Sequence, residues 1–110
     1  MGPDMVTFTP DGRRVLVANE GEPSTDGLID APGSVSIIDV STGARLATVE
    51  TVGFHGFDPQ TEALAKRGVH LALRHVPLSV QAEPEYIACS PDGTLAFIGL
   101  QEIAAVAVLD

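Results

Sequence analysis

An all-β chain of short antiparallel strands is what this sequence predicts, arranged as roughly two four-stranded blades with one short helix inserted between them. Two observations predict it. A ten-residue block, Pro3 to Gly12, recurs as Pro84 to Gly93, 81 residues further along. In both copies that block is followed by further short apolar segments in the same order, separated by the same kind of turn.

Each copy opens with proline, an acidic residue and an apolar strand: Pro3-Asp4-Met5-Val6-Thr7-Phe8, against Pro84-Glu85-Tyr86-Ile87-Ala88-Cys89. Thr9-Pro10-Asp11-Gly12 and Ser90-Pro91-Asp92-Gly93 then form turns. Proline presets φ at the first turn position, aspartate accepts from nearby backbone, and glycine takes the positive φ that follows. A second strand comes next, Arg14 to Ala18 against Leu95 to Gly99. The third, Ser34 to Asp39 against Ala105 to Asp110, lies only 71 residues apart in the two copies. The first copy therefore carries ten extra residues in the loop Asn19 to Gly33. After Ser41-Thr42-Gly43 a fourth strand reads as Ala44 to Glu50.

Between the copies the pattern changes. Asp58 suits a helix N-cap, Pro59 the first helical position and Gly68 the stop, with Lys66 and Arg67 at the negative end of the dipole. A helix over 58–68 follows, and Val69 to Val76 reads as a further strand. Four short strands joined by tight turns make one blade of a β-propeller. The division expected is a first blade over 3–51, a connector with the helix over 53–83, and the start of a second blade over 84–110. The plainer alternative is a generic β-meander or sandwich. The strands are apolar on both faces, as in sheets packed between other sheets.

Composition narrows the function classes. Hydrophobic residues form 45 % and charged residues 19 % of the 110, a globular balance. No apolar run reaches the roughly 18 residues of a membrane span, and no signal peptide is visible at Met1-Gly2-Pro3-Asp4. A net charge of -9 argues against nucleic acid as a partner and against anionic lipid. Cys89, the only cysteine, reads as a small apolar strand residue.

The candidate chemistry is carboxylate chemistry. Asn19, Glu20, Glu22, Asp26 and Asp30 crowd one loop, and a hard cation such as calcium takes several such oxygens. Their spacing is not that of an EF-hand, and the competing reading is a solvated acidic loop. Glu83, Glu85 and Glu102 with Gln101 form a second acidic group, in which Glu85 aligns with Asp4. It suits either an acid/base pair or, more simply, acceptors for backbone N–H groups at a strand start. His55, His70 and His75 lack zinc spacing, and Arg13 and Arg14 read as solvated turn residues. No phosphate-binding glycine loop, nucleophile elbow or Ser-His-Asp context is present.

The runs Val17-Ala18-Asn19-Glu20-Gly21-Glu22-Pro23-Ser24, Gly33 to Asp39, Gly53-Phe54-His55-Gly56-Phe57-Asp58 and Glu83 to Ile87 resemble the choice-of-anchor I domain family. The resemblance implies a bacterial secreted or cell-surface protein with a YVTN/WD40-like propeller, related to the mesenchyme-specific cell surface glycoprotein group. Where that family continues Gln-Glu-Asn-Asn, this chain has Gln101-Glu102-Ile103-Ala104. A propeller closes with about four blades or more. The chain therefore reads as a fragment, a truncated product, or a unit that closes by association. Its expected partners are the remaining blades of a longer protein, or a second chain paired through open strand edges. The leading functional expectation is a non-enzymatic binding or scaffold segment. The alternative is a calcium-dependent phosphoester hydrolase of the phytase or alkaline-phosphatase kind. Such a site also needs cationic groups on the phosphate. Only six basic residues exist here, with Arg13, Arg14 and Arg45 in the first blade.

Overall fold

The computed structural model describes residues 2–21, 25, 31–73 and 75–110. The fold is all-β. Seven strands form two antiparallel meanders: β1 (Pro3–Phe8), β2 (Arg14–Asn19), β3 (Ser34–Asp39) and β4 (Thr48–Gly53) in the first sheet, and β5 (Tyr86–Cys89), β6 (Ala96–Leu100) and β7 (Ala105–Leu109) in the second. Each strand pairs with its neighbour in sequence, so every connection inside a sheet is a hairpin.

The two repeats match rung for rung. Val6↔Val17 and Val17↔Ser36 in the first sheet correspond to Ile87↔Ile98 and Ile98↔Ala107 in the second. The offsets of 81 and 71 hold along the shared ladder, so the longer loop of the first copy is absorbed outside the strands.

Hairpin identity comes from the Pro-Asp-Gly turns. The Thr9 hydroxyl donates to Asp11 Oδ1 at 2.6 Å and accepts the Arg14 N–H at 3.1 Å, while Arg13 N–H donates to the same carboxylate at 2.9 Å. In the second copy the Ser90 hydroxyl donates to Asp92 Oδ1 at 2.6 Å, accepts Leu95 N–H at 3.0 Å, and Thr94 N–H donates to Asp92 at 3.1 Å. Gly12 and Gly93 close these turns at φ 68° and 72°, where a Cβ would be strained.

Three expectations are corrected. The fourth strand begins at Thr48 rather than Ala44: Ala44–Leu46 form a 3₁₀ turn, closed by Leu46 N–H on the Gly43 carbonyl. The helical insert starts as 3₁₀ helix over His55–Gln60 and becomes α1 at Thr61–Lys66, ending before Gly68 (φ 109°). Asp58 is therefore not its N-cap; the Asp58 carbonyl accepts the Thr61 hydroxyl at 2.7 Å, and the carboxylate points elsewhere. Among the described residues of 69–76 there is no strand. The Gln81 amide takes the place of a ladder there, accepting Leu73 N–H at 3.0 Å and donating to the Leu73 and Val76 carbonyls at 2.9 and 2.8 Å. Gln81 ends a second short helix, α2 (Leu78–Gln81), which the sequence pattern did not reveal.

The sheets pack face to face through an aliphatic core. Leu16, Ala18 and Val35 of the first sheet meet Ile87, Ala96, Ile98 and Leu100 of the second, with Phe54, Leu78 and Ala82 from the connector filling one end. The closest strand contacts between sheets are those of β1 and β2 with β5. Between β3–β4 and β7 lies instead a cleft of about 300 Å³ lined by Val35, Val52, Phe54, Ile98 and Leu109. The two sheets thus meet as a wedge, close at one side and open at the other.

The faces in contact are not equivalent. By register, Leu16, Ala18, Val35 and Ile37 correspond to Phe97, Gly99, Val106 and Val108. The first four look into the core, but the second four lie on the outer face of their sheet, because side chains alternate along a strand. The second sheet instead turns inward the positions equivalent to Val6, Val15 and Val17, namely Ile87, Ala96 and Ile98. Copies of one module therefore stack head to tail.

Candidate functional site

The acidic loop was the leading candidate for a cation site. Of its members, Glu22, Asp26 and Asp30 lie outside the described residues. Asn19 ends β2, and its amide nitrogen donates to the hydroxyls of Ser34 (3.3 Å) and Ser36 (2.8 Å). All three sit on the outer face of the first sheet, so the Asn19 amide braces the β2–β3 rung. Glu20 is half-buried directly after it. Among the described residues no three His, Cys, Asp or Glu side chains converge as metal ligands do.

The carboxylates with perturbed acidity are held by turn geometry. Ser90, then Thr94, hydrogen-bond Asp92 and hold its pKa down to about 2. Asp11 is lowered first by the Thr9 hydroxyl and Asp39 first by the Ser41 hydroxyl, both through Asx-type turns. These groups are ionised acceptors fixed by local donors.

A polar centre that sequence reading missed lies in the connector. Ser79, 1 % exposed, donates its backbone N–H to Asp58 Oδ1 at 2.8 Å and its hydroxyl to Asp58 Oδ2 at 2.9 Å. His55 Nδ1 approaches the same Oδ2 at 3.5 Å. The Ser79 N–H lowers the Asp58 pKa most, and the histidine adds to the effect. Serine, aspartate and histidine are together, but in the wrong order for a nucleophile: the carboxylate stands between serine and histidine, and the hydroxyl is sealed from solvent. Asp58 works as a clamp, capping the first turn of α2 from 21 residues away. The only trace in sequence is an aspartate before proline, which reads equally well as the cap of its own helix.

Over residues 1–110 the chain matches the family model for the choice-of-anchor I domain. It belongs to that family. No curated protein and no solved structure matches it. Membership places the domain among cell-surface and extracellular proteins. Among the described residues no helix is long and apolar enough to cross a membrane.

The second acidic group of this choice-of-anchor I domain does not gather into a pair. Glu85 and Gln101 line one shallow hollow with Tyr86, Leu100 and Val106, whereas Glu102 is exposed on the adjoining 3₁₀ turn, Gln101–Ile103. Glu83 is half-buried at the end of the connector. The Glu85 N–H donates to the Gly99 carbonyl at 3.1 Å, extending the β5–β6 ladder. His70 donates its backbone N–H to the Ile103 carbonyl, and its ring stays exposed, as does that of His75.

The departure at Ile103-Ala104 has a structural counterpart. Ile103 is buried in the core, and Ala104 adopts φ 50°, the only non-glycine positive φ among the described residues. An asparagine, as in the resembling pattern, tolerates that conformation better than alanine. Ala104→Asn is therefore expected to raise the melting temperature by a few degrees, on the order of 0.5–1 kcal/mol, in a circular dichroism melt. A fall would show that the strain is not local to this backbone.

Proposed function

We propose that this choice-of-anchor I domain is a non-enzymatic binding or scaffold module, a β-propeller segment of the YVTN/WD40-like kind. In this reading residues 3–51 form one blade, 53–83 a connector and 84–110 the beginning of the next. The kinship with the mesenchyme-specific cell surface glycoprotein group belongs to the same proposal. Its carrying observation is the head-to-tail contact of the two repeats. Non-equivalent faces meet, and the sheets close on one side and open on the other, as blades around an axis do. Such a unit takes up neighbouring blades of a longer protein, or another chain at its free strand edges.

The competing reading is calcium-dependent phosphoester hydrolysis through the acidic loop, Asn19 to Asp30. Asn19 donates through its amide nitrogen within the β2–β3 rung, whereas a calcium ion would take its Oδ1, so an assay decides. Phosphate release from phytate and from p-nitrophenyl phosphate decides between them, in millimolar calcium and in excess chelator. The expectation is no release above the buffer blank, and the same melting temperature in both solutions. Chelator-sensitive release would establish the hydrolase; a calcium-raised melting temperature without release would place a structural ion in the loop.

A further inference from the structure

A sulfur ties the two sheets together at their closed side. Ser90 N–H donates to the Leu95 carbonyl, so alternation along the β5–β6 ladder turns the Ile87 N–H away from β6, toward the free edge of β5. There it donates to Met5 Sδ of β1 at 3.3 Å. A β-bulge brings the sulfur to that place: the β1–β2 register slips between Pro3↔Asn19 and Met5↔Ala18, with Asp4 as the extra residue. Met5 thereby shares the inner face with Ala18 and packs against the aliphatic core.

The two partners differ in their access to solvent. Ile87 is 2 % exposed, so its N–H has no water to turn to if the sulfur withdraws. Met5 is only half-buried, between the exposed Asp4 and Val6. Its thioether is reachable from solvent and at the same time tied into the contact between sheets. One sulfur lone pair accepts the Ile87 N–H, and the other is left for chemistry.

We infer that Met5 is an oxidation site at which a peroxide loosens the contact between the two repeats. A sulfur lone pair attacks the O–O bond and takes one peroxide oxygen. The other oxygen leaves, picks up the proton of the transferred hydroxyl and departs as water. Sulfur loses two electrons and the peroxide gains them. The product is a sulfoxide, polar and larger than the thioether it replaces. With nitrogen and sulfur 3.3 Å apart, no oxygen fits between them. The sulfoxide therefore either turns its oxygen into the aliphatic core, where it is unpaired, or swings out and strips the Ile87 N–H of its acceptor. Both outcomes weaken the docking of one sheet on the other, while the hairpins within each sheet keep their own ladders. The inference is separate from the binding reading above, since it concerns how firmly the repeats hold together.

Treatment with hydrogen peroxide tests it, on the wild type and on Met5→Leu. Tandem mass spectrometry of the tryptic peptide ending at Arg13 separates oxygen added at Met5 from oxygen added at Met1. Once Met5 is oxidised, the wild-type melting temperature is expected to fall by about 5 °C or more, and a methionine sulfoxide reductase is expected to restore it. That arm reads the wild-type chain alone, so it does not depend on how well the variant folds. Met5→Leu keeps the side-chain volume, Met1 and Cys89 but has no sulfur in the contact. Its melting temperature is expected to be the same before and after peroxide. A wild-type melt that does not move when Met5 is oxidised overturns the proposal. So does an equal fall in Met5→Leu, which would assign the effect to Met1 or Cys89. Met5 left intact at peroxide concentrations that oxidise Met1 overturns it as well, because the sulfur would then be out of reach.

Discussion

Gly33→Ala is expected to lower the melting temperature by well over ten degrees, or to prevent cooperative folding altogether. A Cβ placed on Gly33 would lie 2.1 Å from the Ala82 carbonyl oxygen and 2.5 Å from Pro84 Cδ. Neither neighbour is free to retreat. Ala82 and Pro84 are buried, and the Ala82 N–H donates to the Leu78 carbonyl at 2.8 Å, closing α2. Overpacking of this kind costs about 3 kcal/mol when relaxation must pass through backbone. The position is where the loop leading into β3 crosses the chain on its way from connector to second sheet. A circular dichroism melt of Gly33→Ala beside Gly43→Ala separates steric crowding from glycine effects in general. Gly43, unlike Gly33, has positive φ (101°), and it has open space around it. If the two fall equally, the crossing is not the tight point the geometry describes.

The second large effect is expected at Ile87. Its side chain is 2 % exposed at the centre of the contact between sheets, and its backbone N–H donates to Met5 Sδ at 3.3 Å. Ile87→Ala should cost about 3–4 kcal/mol, since the rigid strands on either side cannot collapse into the space left behind. Chemical denaturation should record a lower midpoint with an unchanged slope. Phe8→Ala, at an exposed position of the first copy, should cost far less in the monomer. An Ile87→Ala cost below about 1 kcal/mol would mean that the two sheets fold without depending on each other.

These expectations show where sequence reading sufficed. Both Pro-Asp-Gly turns were legible because every partner of Asp11 and Asp92 lies within two residues. The strands were legible from their apolar runs and the repeat. Their inward face was not, because Val15, Leu16, Val17 and Ala18 are apolar on both sides, so period-two alternation is silent. The start of β4 slipped by four residues because Gly43 permits one more turn before the β-branched Thr48 and Val49. The connector misled most, since its structure depends on side chains reaching across sequence. Asp58 serves Ser79 rather than its own helix, and Gln81 ties down a segment that otherwise reads as a strand. Of the acidic loop, Glu22, Asp26 and Asp30 lie outside the described residues, and the Asn19 amide nitrogen donates to Ser34 and Ser36 within the sheet.

The meander wiring bears on how the chain folds. All ladder partners within a sheet come from adjacent hairpins, and even the longest of these connections, 20–33, is far shorter than the separation between the sheets, so their closure is comparatively fast. The contact between sheets joins residues as distant as Met5 and Ile87, 82 positions apart, and a search of that length is entropically costly. Sheet formation is local and docking is not. In the folded chain the 3₁₀ segment over His55–Gln60, α1 and α2 gather much of the intervening connector, and the Asp58–Ser79 clamp ties its two ends closer together. The connector that looks like an interruption of the repeat is thereby also the tether that fixes how far its two halves are held apart.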